Sequence, residues 1–516
     1  MGWFAAVLSG ILAGLAYPAR FDGTHLPDLG FLGFFCWVPL MVAVTQVSAR
    51  RAFSLSFVAG IFHFAISQFW LYRALHTFGN LSATVSVAML GLLIVVLSAY
   101  FGLIFFLSAF LQSRWNISSL WTRPLVWVAI EYLRHIGPMG GYPWSQLGYT
   151  QGAFLPFIQS AEIWGAYGLT FILVQANELI AMAWRRIRGE WGAYASLASF
   201  IVALLLLGAN IAYGYWRMGA PLSPVAKMVK VGIVQGDISQ EEKWDKSLVQ
   251  KILGIYVAGT KELEAQGAEL ILWPEASFPV AVPFDAPGLS FDFGNDKAHL
   301  LFGTISRSEK NSSFGSNSSV YNSGILIDGE GRIEDFYHKR KLVPFGEYIP
   351  YQDLFFFARK LTAEVGNLAP GEQYRPIRYG DEKLGVLICY EDIFPFIARD
   401  MVEQGAEALI NITNDAWYGF SSAPYQHQVY SQYRSVETRR ALVRATNTGI
   451  SSLIDAYGRI LWQGELFTRA NFITDLPLYQ GKTPFVRWGY LLPHFFLMIM
   501  GVMLLGALFR KKESHG

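Results

Sequence analysis

The order of apolar and polar positions divides the chain into three parts. Residues 1–220 consist of long apolar runs, residues 221–484 alternate short strand-like runs with charged stretches, and residues 485–516 hold one more apolar run before a basic end. A transmembrane helix needs about 20 predominantly apolar residues, so the pattern predicts an α-helical membrane bundle of about eight spans and a separate domain. The predicted spans lie near 2–17, 30–47, 53–73, 82–111, 119–134, 158–184, 191–214 and 488–509.

Basic residues in the loops predict how the bundle is oriented. Arginine and lysine follow every second predicted span, at Arg50, Arg51, Arg114, Arg185, Arg186, Arg188, Arg510, Lys511 and Lys512. Loops that are rich in these residues stay in the cytoplasm. Both termini are therefore expected in the cytoplasm, and the domain at 221–484 on the far side of the membrane. A bacterial periplasm fits that side, because it permits disulfides without requiring them.

The composition agrees with a membrane protein that carries a soluble domain. Hydrophobic residues make up 53% of the chain and charged residues 16%, against about 25% charged residues in soluble domains. The net charge of +2 gives no indication of nucleic-acid binding. The two cysteines, Cys36 in an apolar stretch and Cys389 at a strand end, do not form a disulfide framework. No residues have metal-ligand spacing and no glycine motif would bind phosphate, so neither a metal nor another cofactor is expected.

The domain at 221–484 shows the alternation of strands and helices that is typical of an α/β fold. Runs that are rich in β-branched residues, such as "VKVGIVQGD" and "KLGVLICYED", alternate with helix-like patterns such as "QHQVYSQYRSVETRRALVRA". Nearly continuous apolar strands of this kind predict buried sheets that are covered by helices. In such folds the reactive side chains gather where strands end.

Three polar side chains stand at or beside predicted strand ends, namely Glu275, Lys339 and Cys389. A thiol, a carboxylate that takes its proton and a cation that stabilises an oxyanion are the parts of a nucleophilic acyl-transfer site. Taken singly, each has an ordinary explanation, since Glu and Lys are usually solvated and a lone cysteine usually lies in the core. The residues alone leave both interpretations open.

Three stretches carry a resemblance to a known family. "LILWPEAS", "HKRKLVPFGEYIP" and "LGVLICYED" resemble, in this order, the three motifs of the nitrilase (carbon–nitrogen hydrolase) superfamily, which implies an αββα sandwich. With predicted spans on both sides, the full chain resembles the bacterial apolipoprotein N-acyltransferases, of which "KWD" (243–245), "LVPFGE" (342–347) and "NDAWYG" (414–419) are typical. This resemblance implies a multi-pass protein of the bacterial inner membrane.

The resemblance implies a role for each of the three residues. Cys389 is expected to be the nucleophile, Glu275 the general base and Lys339 the cation that stabilises the oxyanion. A partly apolar cleft is expected to raise the pKa of Glu275 toward neutrality, which suits a base. The implied reaction moves an acyl chain from a phospholipid, typically phosphatidylethanolamine, to a thioester on Cys389. The α-amino group of an apolipoprotein's diacylglyceryl-cysteine then takes the chain in a ping-pong sequence.

Further residues of the same motifs are expected to support the reaction or to bind substrate. Glu347 resembles the second glutamate of the superfamily, which orients the lysine and the cysteine. The alternative for these residues is a surface acid or the core packing of an aromatic ring. The full set comprises Glu347, Tyr390, Glu391, Trp244, Trp417, Asn322 and, in the loop "GGYPWSQLGYTQG", Trp144.

The segment "YQDLFFFARKLTAEVG" follows the lysine motif and has two interpretations. It is either a core helix or a mobile lid in which Phe355, Phe356 and Phe357 dip into the lipid headgroup layer beside Arg359 and Lys360. Basic and aromatic side chains share that layer readily, so the sequence favours a lid that gates lipid entry.

Two other classes of function remain open on the sequence. A membrane-tethered amidase would use the same three residues to hydrolyse a small amide, with water in place of the amine. A transporter or scaffold with a degenerate domain would not need Cys389. His427, which a cysteine protease would pair with Cys389, is not expected to do so, because the glutamate and lysine already fill the base and oxyanion roles. A monomer is the default expectation.

Overall fold

The structure is a computed structural model and describes residues 1–21, 24, 25, 27–79, 81–189, 197–243, 245–308, 319–351 and 368–509. The apolar parts are helical, and the region between them mixes strands with helices, as the pattern predicts. The helices are α1 (Gly2–Leu15), α2 (Val38–Ala43), α3 (Ala49–Ser67), α4 (Trp70–Arg73), α5 (Ala83–Trp115), α6 (Ser119–His135), α7 (Leu155–Ile158), α8 (Ala161–Ile187), α9 (Leu197–Gly219), α10 (Gln240–Lys243), α11 (Val249–Ala265), α12 (Pro395–Glu403), α13 (Ala423–Thr438), α14 (Pro484–Trp488) and α15 (Leu491–Phe509). The strands are β1 (Arg20–Phe21), β2 (Thr24–His25), β3 (Val225–Gln235), β4 (Leu270–Leu272), β5 (Phe278–Pro283), β6 (His299–Arg307), β7 (Val320–Ile327), β8 (Ile333–His338), β9 (Ile377–Tyr379), β10 (Glu382–Ile388), β11 (Ala408–Thr413), β12 (Leu442–Thr446), β13 (Ser452–Ile454), β14 (Ile460–Gln463) and β15 (Ala470–Tyr479).

Fewer helices than the sequence predicts are able to cross a membrane. Among the described residues, α5, α8, α9 and α15 are long and apolar enough. Helix α3 and residues Trp70–Thr77 add one more span if this pair, which is bent by 55°, is counted as a single broken helix. The expectation of about eight spans is therefore not reached.

Short helices account for the difference. Helix α1 has 14 residues, α6 has 17, and the predicted span at 30–47 divides into a 3₁₀ turn (Gly30–Phe34) and the six-residue α2. A Cβ atom at Gly30 would lie 2.2 Å from the carbonyl oxygen of Thr150, so this turn packs directly against another loop of the bundle. In this protein an apolar run does not always form a membrane-spanning helix, because some apolar segments pack against other parts of the bundle.

The apolar run at 82–111 forms one helix rather than two. Helix α5 has 33 residues, beginning after Ser82, which accepts a hydrogen bond from the N–H of Val85, and ending at Asn116 in a left-handed conformation. At 1.5 Å per residue it is about 50 Å long. Since the hydrocarbon core of a bilayer is about 30 Å thick, α5 must tilt or extend into the headgroup region.

The region between the apolar parts contains two sheets. One has the strand order β14-β13-β12-β11-β10-β9, and the other has the order β15-β3-β4-β6-β7-β8, with β5 paired to β6. The central strands β10, β11 and β12 are parallel to one another, as are β3, β4 and β6. The carboxyl ends of parallel neighbours meet at one edge of their sheet, which is where reactive side chains gather in α/β folds.

The side chains of these strands place the two sheets face to face. On β4, Leu270 and Leu272 belong to a core that they share with Leu384 and Val386 of the other sheet, whereas Ile271 packs in the core beneath α11. Successive side chains of a strand point to opposite faces, so β4 is buried on both. Helix α11 covers one sheet, and α12 and α13 cover the other. The domain therefore has the four-layer αββα arrangement that the sequence predicts.

Helix α13 joins this domain to the helical bundle. Nearly all of its side chains are buried. Gln426 on α13 accepts a hydrogen bond of 2.6 Å from the indole N–H of Trp144, in the loop after α6. Just past the end of α13, the guanidinium of Arg439 donates to the carboxylate of Glu162 on α8 at 2.6 Å. Buried hydrogen bonds and an ion pair thus connect the domain to the bundle at both ends of this helix.

Candidate active site

Cys389 lies directly after β10, at a sharp turn of the chain. Its φ is +50°, a left-handed conformation that is uncommon for a residue with a side chain and that recurs at functional sites. The end of β10, residues 384–388, is buried between β9 and β11. Asn411 of β11 donates a hydrogen bond of 3.3 Å to the carbonyl oxygen of Cys389. The reactive sulfur is therefore carried by a strained turn on a rigid support.

Glu275 lies in the turn that follows β4 in the other sheet. Its Oε1 accepts hydrogen bonds from Nζ of Lys339 at 3.1 Å and from Nδ2 of Asn322 at 2.8 Å, while its Oε2 accepts from the backbone N–H of Asn414 at 3.1 Å. A Cβ atom at Gly303 on β6 would lie 2.5 Å from Cα of Glu275, so only glycine allows the turn to come this close. Three donors and this close approach fix the carboxylate in position.

Lys339, which follows β8, bridges two carboxylates. Its Nζ lies 3.1 Å from Oε1 of Glu275 and 2.9 Å from Oε1 of Glu347. Asn322 donates to the same Oε1 of Glu347 at 2.9 Å, and the N–H of Val343 donates to Oε2 at 2.8 Å. Lys339 is only 1% exposed. The structure thus brings together Glu275, Lys339, Glu347 and Asn322.

The charges of the site set the protonation state of each group. Burial raises the pKa of Glu275, but the ammonium groups of Lys339 and Lys243 outweigh burial and hold that pKa below its usual value. Burial lowers the pKa of Lys339, but Glu275 and Glu347 outweigh it and raise that pKa well above the usual value. Glu275 is therefore a carboxylate and Lys339 an ammonium at neutral pH. The expectation that the cleft raises the pKa of Glu275 is wrong, because the cleft contains two lysines.

The thiol of Cys389 is protonated at rest. Burial, and then the negative charge of Glu275, raise the pKa of Cys389 well above its usual value, although Lys339 opposes this rise. A neutral thiol beside an ionised carboxylate is the starting point for general-base catalysis, in which the proton leaves sulfur during the attack.

Glu391 joins the turn of Cys389 to the segment that carries Lys339. Its Oε1 accepts from the hydroxyl of Tyr337 at 2.9 Å and from the backbone N–H groups of Arg340 at 2.8 Å and Lys341 at 3.1 Å. Its Oε2 accepts from the N–H of Ile388 at 2.9 Å. Burial raises the pKa of Glu391 to about 7, and the backbone donors limit the rise. Glu391 therefore positions the lysine segment relative to the nucleophile.

The predicted aromatic residues differ in where they lie. Tyr390 is buried and its ring makes an edge contact of 5.0 Å with Phe394. Trp417 is half-buried in the 3₁₀ turn that follows Asn414. Trp144 is buried between the bundle and the domain, with its ring 6.3 Å from that of Tyr418. The structure therefore places Trp144 in an interface rather than in an open cleft.

Four of the predicted residues fall where the structure gives no description. Trp244 and the three phenylalanines of the predicted lid, Phe355, Phe356 and Phe357, lie outside the described residues. The roles predicted for them therefore stay predictions.

Two residues of the site were not singled out in the sequence. Lys243, the last residue of α10, donates from Nζ to the backbone carbonyl of Glu275 at 2.9 Å. The backbone N–H of Asn414, after β11, donates to the carboxylate of the same glutamate at 3.1 Å. The signal was present in both cases, since Lys243 begins "KWD" and Asn414 begins "NDAWYG". The family resemblance implies a role only for the tryptophan of each motif, Trp244 or Trp417.

His427 lies in a separate buried network. Its Nε2 lies 2.6 Å from Oδ1 of Asp392 and its Nδ1 lies 3.0 Å from Oδ1 of Asp415. Arg444 contacts the same two carboxylates, at 2.7 Å and 3.4 Å. Both ring nitrogens therefore face aspartates, as suits a structural imidazolium rather than the base of a Cys–His pair. The described residues contain no group of His, Cys, Asp and Glu that could hold a metal ion.

The fold and the site together agree with a domain of the carbon–nitrogen hydrolase class that is anchored in a helical bundle. Residues 230–481 match the family model for Carbon-nitrogen hydrolase, and residues 9–179 match the model for the Apolipoprotein N-acyltransferase N-terminal domain. The two models match separate parts of one chain, in the order in which the bundle and the α/β domain occur.

Relatives that match along nearly the whole chain make the assignment specific. The chain is 35% identical to the apolipoprotein N-acyltransferase of Geobacter metallireducens over 99% of this chain and 96% of the relative. It is 31% identical to the enzymes of the same name from Nitrosomonas europaea, over 88% and 87% of the two chains, and from Haemophilus influenzae, over 99% and 96%. The chain belongs to the apolipoprotein N-acyltransferase family.

Solved structures that are similar to this chain come from the nitrilase superfamily. Nit3 of Saccharomyces cerevisiae, a member of branch 10 of that superfamily, is 21% identical, with a TM-score of 0.37 and coverage of 50% of this chain and 93% of that chain. An amidase from Nesterenkonia sp. is 18% identical, with a TM-score of 0.35 and coverage of 50% and 93%.

Proposed function

We propose that this protein transfers a fatty acyl chain from a phospholipid to the N-terminal amino group of an apolipoprotein, through a thioester on Cys389. The family supports the proposal, since its curated relatives are apolipoprotein N-acyltransferases. The observation that carries it is the buried contact between Glu275 and Lys339, 3.1 Å apart, beside the strained turn of Cys389. This arrangement provides a base and a fixed cation next to a nucleophile.

The first half-reaction forms the thioester. The thiol of Cys389 gives its proton to Glu275 while the sulfur attacks the ester carbonyl of the lipid. The charge that develops on the carbonyl oxygen is stabilised by the ammonium of Lys339 and by the backbone N–H of Tyr390. The intermediate collapses when the C–O bond of the ester breaks. Glu275 gives the proton to the leaving oxygen, and a lysophospholipid departs.

The second half-reaction forms the amide. The α-amino group of the acceptor attacks the thioester carbonyl, and Glu275 takes one of its protons. The C–S bond breaks, and the proton passes to the sulfur of Cys389, which restores the thiol. Lys339 stabilises the oxyanion in both halves, because both pass through a tetrahedral intermediate at the same place. Donor and acceptor use one site in turn, so we expect ping-pong kinetics.

The remaining assignments belong to the same proposal. The donor is phosphatidylethanolamine, the acceptor is an S-diacylglyceryl-cysteine N-terminus, and the protein acts as a monomer in the bacterial inner membrane. Residues 1–220 and 485–516 are the membrane parts, with cytoplasmic termini, and residues 221–484 are the periplasmic domain. The apolar helices α5, α8, α9 and α15 support the membrane location.

Mass spectrometry of the intact protein in detergent tests this function. After incubation with phosphatidylethanolamine, we expect the mass of the protein to increase by one acyl chain, with one lysophospholipid released. Digestion should place this increase on the peptide that contains Cys389. A diacylglyceryl lipopeptide should then remove the acyl chain and gain it as an amide. Cys389→Ser should not form the thioester. If no acyl group forms on Cys389 and a small amide is hydrolysed instead, the protein is a membrane-tethered amidase.

A further inference from the structure

Lys243 is a second buried lysine of the site, and the proposed mechanism gives it no role. It is 5% exposed, and its Nζ donates to the backbone carbonyl of Glu275 at 2.9 Å. Within the described part of the chain, this carbonyl is its side chain's hydrogen-bond partner and no carboxylate lies within ion-pair distance. A buried ammonium without a counter-ion is costly, so its presence here calls for a compensating charge nearby.

The short helix that carries Lys243 is connected to Glu275 by a second route. Gln240, at the start of α10, accepts from Nδ2 of Asn414 at 3.1 Å, and the backbone N–H of Asn414 donates to Oε2 of Glu275 at 3.1 Å. Asn447 donates to Oδ1 of Asn414 at 3.0 Å. Helix α10 therefore contacts both the backbone and, through Asn414, the carboxylate of the base. Lys243 therefore belongs to a network of hydrogen bonds that includes the base.

The charges of the groups in contact explain what this lysine supplies. Glu275 and Glu347 carry two negative charges, and Lys339, which bridges them, carries one positive charge. Lys243 adds the second positive charge. During the attack the proton moves to Glu275 and a negative charge appears on the substrate oxygen. Lys243 thus keeps the group neutral before and after the proton transfer, whereas without it both states carry a net negative charge in a buried site.

We infer that Lys243 is a positioning residue for acyl transfer, which fixes the backbone of Glu275 and supplies the second positive charge of the site. The inference rests on the proposed function of Cys389, Glu275 and Lys339. Glu391, a buried acid two positions after Cys389, accepts from backbone N–H groups and from the hydroxyl of Tyr337.

The pH dependence of the rate tests the inference. The titration of Lys243 would change that dependence, whereas a purely structural role of Lys243 would not. Burial lowers the pKa of Lys243 to about 8, and the nearby charge of Glu275 limits the fall. Lys339 contacts the carboxylate of Glu275 and also affects its titration. Lys243 is therefore charged below pH about 8 and neutral above it. The rate of thioester formation should fall as the pH rises through that value.

The experiment measures the first half-reaction alone, with a 4-nitrophenyl acyl ester whose chemistry involves no amine. In Lys243→Met, we expect the acylation of Cys389 to slow by about 10- to 100-fold, less than the loss of a direct oxyanion donor, which costs about 10²- to 10³-fold. The pKa of Glu275 should rise, so the acidic limb of the rate should move to higher pH. Lys243→Arg keeps the charge at all pH values and should retain more activity, without the fall near pH 8.

Two comparisons keep the result interpretable. Lys246→Met changes an exposed lysine three positions along the chain and should leave the rate and its pH profile unchanged. The thermal midpoint of each variant in detergent separates a folding defect from a catalytic one. If folded Lys243→Met acylates at the wild-type rate with an unchanged pH profile, the inference is overturned. If the wild type accepts the activated ester but never a phospholipid, the proposed function fails and the role of Lys243 is still measured.

Discussion

Nζ of Lys339 lies 3.1 Å from Oε1 of Glu275, so the proposed oxyanion cation holds the proposed base in its ionised form. This contact changes during the reaction. As negative charge grows on the substrate oxygen, the ammonium is shared with that oxygen and stabilises the carboxylate less. The affinity of Glu275 for a proton therefore increases at the moment when the thiol must lose one. A base whose pKa is low at rest is compatible with catalysis for this reason.

The first prediction concerns the two cysteines. Cys389→Ser should lower the rate of acyl transfer by at least about 10³-fold, because an alcohol is a much weaker nucleophile than a thiol. Cys36→Ala is the matched control, since Cys36 is a second buried cysteine and lies in the helical bundle, just before α2. Acyl transfer to a lipopeptide, measured in detergent, checks both variants. If both variants lose acyl transfer to the same extent, the loss reflects a folding defect and not the removal of the nucleophile.

The second prediction concerns the pH dependence of the base. Because Lys339 and Lys243 outweigh burial and hold the pKa of Glu275 below its usual 4.5, thioester formation should persist to below that pH and be lost as Glu275 is protonated. Glu275→Gln should lower the rate by about 10²- to 10⁴-fold and remove this acidic limb. Glu241→Gln, which changes an exposed acid, should leave the profile intact. Because the pKa of Glu391 is about 7, a wild-type acidic limb near pH 7 would contradict the assignment only if it remains in Glu391→Gln.

The third prediction concerns the close contact at Gly303. Gly303→Ala adds a Cβ atom 2.5 Å from Cα of Glu275, so the turn of the base must move. Overpacking of this kind costs about 1–3 kcal/mol of folding free energy, and the rate should fall by more than the loss of stability explains. Gly254→Ala on α11 is the control, because a Cβ atom there meets no atom within 4 Å. Thermal midpoints and thioester rates of both variants, taken together, test the contact.

The fourth prediction concerns Asn322, which donates to Glu275 at 2.8 Å and to Glu347 at 2.9 Å. Asn322→Ala removes a donor to two charged acceptors, at a cost of about 1.5–3 kcal/mol or about 10- to 100-fold in rate. Asn322→Asp has nearly the same shape but adds a third carboxylate, so it should lose more activity than the alanine variant. Rates of thioester formation rank the two. If Asn322→Asp were as active as the wild type, the hydrogen bonds from Asn322 to Glu275 and Glu347 would not support catalysis.

The ends of the strands were predictable from the sequence, and the reason is physical. A parallel strand that is buried on both faces is a nearly continuous apolar run. The strands within "LGVLIC" and "LILWPE" could therefore be located from their apolar residues. The same reasoning located Glu275 and Cys389 at the strand ends. The contact between Lys243 and Glu275 was not predictable from the apolar pattern. It depends on how α10 packs against the turn of Glu275.

The membrane part was predicted less well, because apolarity does not distinguish lipid from protein as the environment of a helix. Residues 30–47 are apolar enough for a span, but they fold into a turn and a short helix that pack against other parts of the bundle. The protonation of Glu275 was also mispredicted. Burial was foreseen, but the charge of a second lysine was not, and that charge reverses the direction of the pKa shift.

The burial of α13 has a consequence for how substrates are selected. The contacts of Trp144 with Gln426 and of Arg439 with Glu162 hold the α/β domain against the bundle at both ends of this helix. On the proposed membrane location, the bundle then sets the distance of Cys389 from the bilayer. On the proposed function, we expect a lipid ester or a lipid-anchored amine to react only if its reactive atom reaches Cys389 while its chains stay in the membrane. The depth of the reactive atom in the membrane would then be a criterion by which the protein selects its substrates.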